Sequence, residues 1–183
     1  MRRSVLNDNP RLRAAGFTIM ELMITVAIAA VLLGFGIPSF RGIVANNRLI
    51  SQTNEFIGVA NFARSTSITR NASITFCRAD SENDDECATD EDDWQAWLVL
   101  DAAGEVLRSG TVNTYGGQIH VITDLTDQSM TFQPDGMART GANLVADNAM
   151  WVCTTQSVQE NFRVLTFGAG SRLSVAKDGG SCP

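Results

Sequence analysis

Histidine occurs once in this 183-residue chain, at position 120, and proline four times. A lone imidazole in the alternating stretch "GQIHVIT" reads as a packed or surface strand residue, because general acid–base and metal chemistry both need partners beside it. No serine stands in a G-x-S-x-G turn, and neither a glycine-rich phosphate loop nor an H-E-x-x-H helix is present. Those absences leave an enzyme little to work with, and the expectation is a protein without catalytic residues or cofactor. No internal repeat of usable period recurs and strands do not alternate with helices, so solenoid and βαβ architectures are excluded. Positive charge is also short, with 14 Lys and Arg against 20 Asp and Glu, a net −6. Four of the arginines and one aspartate fall in the first 16 residues, so residues 17–183 hold 10 basic and 19 acidic side chains, or −9. A domain of that charge repels polyanions at long range.

Apolar residues are plentiful but unevenly placed. The densest stretch is the 21 residues from Phe17 to Ile37, which as a helix span about 30 Å, the thickness of a bilayer core. Ahead of it, Arg2, Arg3, Arg11 and Arg13 against Asp8 predict a cytoplasmic N-terminus and a C-terminal part exported from the cytoplasm. A secretory signal peptide would carry a small-residue cleavage site after the apolar run, and "GFGIPSF" has no A-x-A pattern. The length suits one membrane segment and one globular domain.

Gly34, Gly36 and Pro38 lie about twenty residues into the run, with Gly42 just beyond. Glycine lowers helix propensity and proline removes a backbone donor, so a kink or meltable stretch is expected there. Past this point, Ile43, Leu49, Ile50, Thr53, Phe56, Ile57, Ala60, Ala63, Ser67 and Ile68 recur at three- and four-residue steps, predicting an amphipathic continuation over 39–71 that ends near Arg70 and Asn71. The rest of the chain alternates as strands do: "ASITFCR", "QAWLVLD", "GEVLRS", "QIHVIT", "SMTFQP", "AMWVCT", "FRVLTF" and "SRLSVAK", each bounded by turn residues. Asp101 to Gly104 predicts a hairpin turn. The fold class is α+β: a long N-terminal helix, hydrophobic and then amphipathic, packed on one or two antiparallel sheets of about six to eight strands in a domain over 72–183. Trp97 and Trp151 are assigned to its core, and Trp94 is left open.

Cys77, Cys87, Cys153 and Cys182 form an even set in a part expected outside the cytoplasm, where disulfides persist. Three pairings are possible. The favoured one joins Cys77 to Cys87 around an acidic loop and Cys153 to Cys182 at the tail, worth roughly 3 and 4 kcal/mol if unstrained. Intervals of nine, 65 and 28 residues do not resemble a zinc site. Nine acids crowd residues 80–93. Calcium is one use for such a run, but the loop lacks the D-x-[DN]-x-[DN]-G frame, and solvated charge explains it equally, so no metal is expected.

Glu21 sits near the start of the apolar run. An ionised carboxylate in hydrocarbon costs about 3 kcal/mol at a helix centre and less near an end, which asks for a function. Cleavage after Gly16 would free the amine of Phe17 one helical turn from Glu21. In a bundle of staggered parallel helices, the carboxylate of one subunit can then meet the amine of its neighbour, each neutralising the other.

At these residues the chain resembles a known family. The order of basic leader, Gly16, Phe17, Glu21 and about twenty apolar residues in "GFTIMELM" and its continuation is similar to the class III signal of type IV prepilins and type II secretion pseudopilins. "FARSTSITRNASITFC", "DDWQAWLVLDAAGEVLRSG", "MTFQPDGMA" and "RVLTFGAGSRLSVAK" resemble the GspH/FimT/FimU group of minor pilins and pseudopilins. The resemblance implies a leader over 1–16 removed by prepilin peptidase between Gly16 and Phe17, and N-methylation of Phe17. It also implies a membrane and filament-core helix over 17–38, residence in the inner membrane with a periplasmic domain, and later incorporation with other pilins near a filament tip. A type IV pilus and a type II secretion pseudopilus share this N-terminal physics. Some FimT-type members take up DNA through a basic G-R-x-R stretch. Here Arg172 corresponds to its first arginine and Ser174 stands where a second would be, so that contact with DNA would fall to Arg163, Arg172 and Lys177.

Overall fold

In the computed structural model, which describes residues 16–156, 158–168 and 172–182, with the side chains of 35–39 left aside, one long helix precedes ten strands. Helix α1 runs from Ile19 to Arg70. The chain divides into two units, one up to Phe40 and one from Arg41 onward.

In the second unit α1 ends where the sequence places its terminator. Asn71 adopts φ 50°, its N–H bonds the Ile68 carbonyl at 3.3 Å, and the N–H of Ala72 bonds the Ser67 carbonyl at 3.2 Å. That pair of bonds is a Schellman closure, which asparagine tolerates because its short polar side chain enters the left-handed region at low cost. The strands are β1 (Ile74–Ala79), β2 (Ala96–Leu100), β3 (Val106–Thr111), β4 (Ile119–Thr123), β5 (Ser129–Phe132), β6 (Ala138–Thr140), β7 (Asn143–Leu144), β8 (Asn148–Thr154), β9 (Phe162–Gly168) and β10 (Arg172–Asp178). They form two antiparallel sheets, ordered β3-β2-β1-β5-β6-β7 and β10-β9-β8-β4.

All eight expected strands are present. The hairpin turn after β2 is closed by Asp101 and Glu105, with Gly104 at φ 85°. The two additional strands, β6 and β7, are a three-residue and a two-residue strand turning at Gly141 (φ 55°), too short to show alternation in sequence.

Leu49, Phe56, Val59, Ala60 and Ala63 of α1 share one core with Ile74 and Phe76 of β1, Trp97 and Val99 of β2, Ile119 and Val121 of β4, Met150 and Val152 of β8, and Leu165 and Phe167 of β9. Because strand side chains alternate, Cys77, Ala79, Ala96, Leu98 and Leu100 fall on the opposite face, in a smaller cluster beside Cys87. Strands β1 and β2 are thus buried on both faces and read as nearly continuous apolar runs. Trp94 belongs to the main core, among Phe56 and Phe76, and its indole N–H donates to Gln128 at 3.0 Å. Trp151 corrects the expectation: it is only half-buried, on the outer face of its sheet, because the core takes Met150 and Val152 from β8.

Candidate functional site

The start of α1 is built by Thr18. Its hydroxyl oxygen accepts the Glu21 N–H at 3.2 Å and its carbonyl accepts the Leu22 N–H at 3.1 Å, so Thr18 is the N-cap and Glu21 the third helical residue. T-x-x-E is the capping-box spacing, a signal present in the sequence but masked by the charge of Glu21 itself. Glu21 therefore stabilises the helix end as an acid in the first turn, as well as carrying charge into the apolar run.

Gly16 and Phe17 lie just before the helix, and Phe17 is 81% exposed. Every apolar side chain described from Phe17 to Leu33 is exposed, on all sides of the helix. A helix apolar all round needs an apolar surrounding, either lipid or other helices. Among the described residues no helix is long and apolar enough to cross a membrane; the described side chains of this run stop at Gly34. Residues 1–15 of the expected leader, with Arg2, Arg3, Arg11 and Arg13, lie outside the described residues. The expected break at Gly34, Gly36 and Pro38 is not an interruption, since α1 is helical straight through them. Proline removes one i→i−4 bond, and the bonds on either side keep the helix continuous.

Of the candidate DNA contacts Arg163 and Lys177 are cross-strand neighbours, but the three do not form one exposed basic patch. In β9, residues 163, 165 and 167 share the inward face, so Arg163 is 3% exposed and donates to the carbonyls of Glu160 and Phe162 and to the Asn46 side chain. Lys177 pairs across the ladder with Arg163 and ion-pairs with Glu160 at 3.0 Å. Arg172 is exposed, but an odd step of five residues turns it to the opposite face of β10 from Lys177.

Both favoured disulfides are present, Cys77–Cys87 and Cys153–Cys182, with no free cysteine. Inside the first loop lies a feature that the sequence pattern does not signal. Arg78, 2% exposed, donates to Asp80 at 2.8 Å, to Asp90, and to the Asp93 carbonyl at 3.3 Å. The acidic loop is thus wrapped around a buried cation, with a second tie from Asp93 to Nδ1 of His120 on β4. Besides Arg78 and His120, its acids meet backbone N–H groups, with Asp84 accepting from Asp80 and Ser81, and solvent. Among the described residues no three His, Cys, Asp or Glu side chains gather as a metal ion would require.

A methylation-type start, an exposed apolar helical segment, and an amphipathic continuation packed on antiparallel sheets define a pilin-like subunit. Residues 11–37 match the prokaryotic N-terminal methylation motif. Residues 52–175 match the family of type II transport protein GspH, and the chain belongs to that family. No curated protein sequence matches it. Among solved structures it is similar to two crystal forms of the type IV minor pilin FimU of Pseudomonas aeruginosa PAO1. In space group P65 the identity is 18% and the TM-score 0.51, over 70% of this chain and 92% of that one. In space group P21 they are 17% and 0.53, over 72% and 90%. At such identities the likeness is one of fold. Family and fold neighbours are structural subunits, and the chain is a structural protein rather than an enzyme.

Proposed function

We propose that the chain is a minor pilin or pseudopilin that helps to prime or cap a type IV pilus or a type II secretion pseudopilus. The carrying observation is the methylation motif on a helix start whose apolar side chains all stand exposed. In this reading prepilin peptidase cuts after Gly16 and Phe17 is methylated. The helix over 17–38 anchors the precursor in the inner membrane, while residues 72–183 fold in the periplasm, where the two disulfides form. Glu21 then meets the Phe17 amine of a neighbouring pilin, which relieves the cost of a carboxylate in apolar surroundings. Gly34, Gly36 and Pro38 supply the weak stretch that yields as the helix leaves the bilayer. The test is Gly16→Glu: unprocessed precursor should accumulate in the membrane, and normal processing would refute the cleavage assignment.

Direct DNA uptake is the weaker reading. Of the three candidates, Arg163 is committed to the core and the exposed Lys177 is paired with Glu160, leaving Arg172 as the exposed arginine. Phosphate binding needs several clustered cations.

A further inference from the structure

Beside the acidic loop lies a cleft of about 520 Å³, walled on one side by residues 89, 91 and 92 and on the other by residues 122–128. That is the size range of small-ligand sites. Glu91, Asp92, Asp124 and Asp127 stand on its walls, all exposed, and no lysine, arginine or histidine does. Arg78 pairs with Asp80 and Asp90, His120 with Asp93 and Lys177 with Glu160, so among the described residues Glu91, Asp92 and Asp127 make no ion pair. Exposed acids are ordinarily a solvated surface, and by themselves they specify nothing.

Gln128 supplies the second observation. It lines the same cleft and is only 8% exposed. Its Oε1 accepts the Trp94 indole N–H at 3.0 Å; an indole nitrogen only donates, so the amide is fixed with its oxygen toward the core and Nε2 turned away from it. Nε2 has no hydrogen-bond partner among the described residues, and no side-chain nitrogen or oxygen sealed from solvent lacks one. The amide N–H2 is therefore the part of this buried side chain that opens onto the cleft. A donor left without a partner in a buried place costs free energy, which an arriving acceptor recovers. Strand β4 adds a third group. It is the outer strand of its sheet, and its even-numbered neighbours bond toward β8, the Asp124 N–H reaching the Ala149 carbonyl and the Gln118 carbonyl accepting the Thr155 N–H. Odd residues face the open edge, where the Trp94 N–H donates to the Val121 carbonyl at 3.3 Å. Thr123, two residues on and beside the cleft, directs its backbone N–H and C=O the same way.

We propose that this cleft binds an extended segment of another protein through a lysine or arginine side chain. The cationic head lies among Glu91, Asp92 and Asp127, and a backbone carbonyl of the segment accepts from Gln128 Nε2. The edge groups of Thr123 extend β4 toward the same backbone by strand addition. A metal ion would meet the acids but cannot use an N–H2 group, which only donates. A free amine has no acceptor to offer that group, and a free amino acid brings a carboxylate that the acids repel. A cation and an uncharged carbonyl on one ligand use both features, and a basic residue within a polypeptide is that chemistry. The cleft lies wholly in the unit from Arg41 onward, and its chemistry is independent of the filament reading.

The experiment uses the full chain, isotope-labelled in detergent micelles at about 20 mM salt, where charge contacts are little screened. The probe is Nα-acetyl-lysine methylamide, one basic residue with a peptide bond on either side, and the readouts are the NMR signals of the Gln128 side-chain amide and the Trp94 indole. Saturable shifts of the Gln128 amide are expected with this probe and with its arginine analogue, and none with the neutral glutamine analogue. Butylamine, a cation without a carbonyl, should bind about fivefold more weakly. Asp92→Asn combined with Asp127→Asn should weaken the lysine probe about tenfold at an unchanged melting temperature, as both side chains are exposed. Gln128→Glu keeps an acceptor for Trp94 but removes the donor, so it should erase the preference for the lysine probe over butylamine while both still bind. The proposal is overturned if the lysine probe leaves Gln128 unshifted, if the glutamine analogue shifts it as much, or if butylamine binds the native chain as well as the lysine probe does. It is overturned equally if the paired asparagines change nothing, or if calcium chloride at about 2 mM displaces the probe. Should Gln128→Glu fail to fold, the asparagine pair and the butylamine comparison still decide.

Discussion

Single side chains in this protein are decided by which face of a strand they occupy. Arg78 and Arg163 are both drawn inside and hydrogen-bonded, one holding the acidic loop and one joining β9 to α1. Arg78→Met should destabilise the domain by about 2 kcal/mol in urea unfolding, below the usual penalty for breaking a buried pair because its acidic partners stay solvated. Asp80→Asn, at the exposed end of the same contact, should cost under about 1 kcal/mol. Arg172→Ala should leave binding of the soluble domain to duplex DNA unchanged at about 50 mM salt, where phosphate contacts are strongest; a drop in affinity would revive the DNA reading. The methylation motif around Gly16, Phe17 and Glu21 was legible from sequence because it lies in linear order. The inward turn of Arg163 was not legible, since β9 and β10 look alike as alternating strings and only sheet packing tells which parity is buried.

The elements end and join through a few local devices. Asn71→Gly should be tolerated, while Asn71→Val should cost about 1–2 kcal/mol, because a β-branched residue resists the left-handed turn that closes α1; urea unfolding of both variants checks it. Removing Cys77–Cys87 by paired serine substitution should cost roughly 3 kcal/mol and free the acidic loop from the smaller core. Gly110→Ala should be destabilising by about 1–3 kcal/mol, since its Cβ would sit 2.5 Å from the Trp97 indole. The helix, its asparagine stop, the β2–β3 hairpin and eight strands were readable, each carrying its own period or turn residue. Strands β6 and β7 were not, because a hairpin this short is held by Arg139 and Thr140 pairing with Leu144 and Asn143 rather than by any pattern of its own.

At the scale of the whole molecule, an exposed apolar helical segment and a disulfide-closed domain are joined in one chain, and in the proposed reading assembly covers what folding leaves bare. Glu21→Val should still enter the membrane but be incorporated into filaments poorly, measured as the fraction of processed protein recovered in sheared fibres; unchanged incorporation would remove the ion-pair role. Titration with calcium to about 2 mM should leave the melting temperature of the β-rich domain unmoved, as the acidic loop already has Arg78 at its centre. The sequence by itself determined the methylation-type start, the apolar run, the long helix and its end, and the class of the domain, because order, periodicity and turn chemistry are local, and it left three cysteine pairings open. Tertiary structure alone decided which of two alternating faces is buried, which of the candidate arginines stays exposed, and where Trp94 and Trp151 belong. Those outcomes depend on contacts between residues distant in the chain, and no local pattern encodes them.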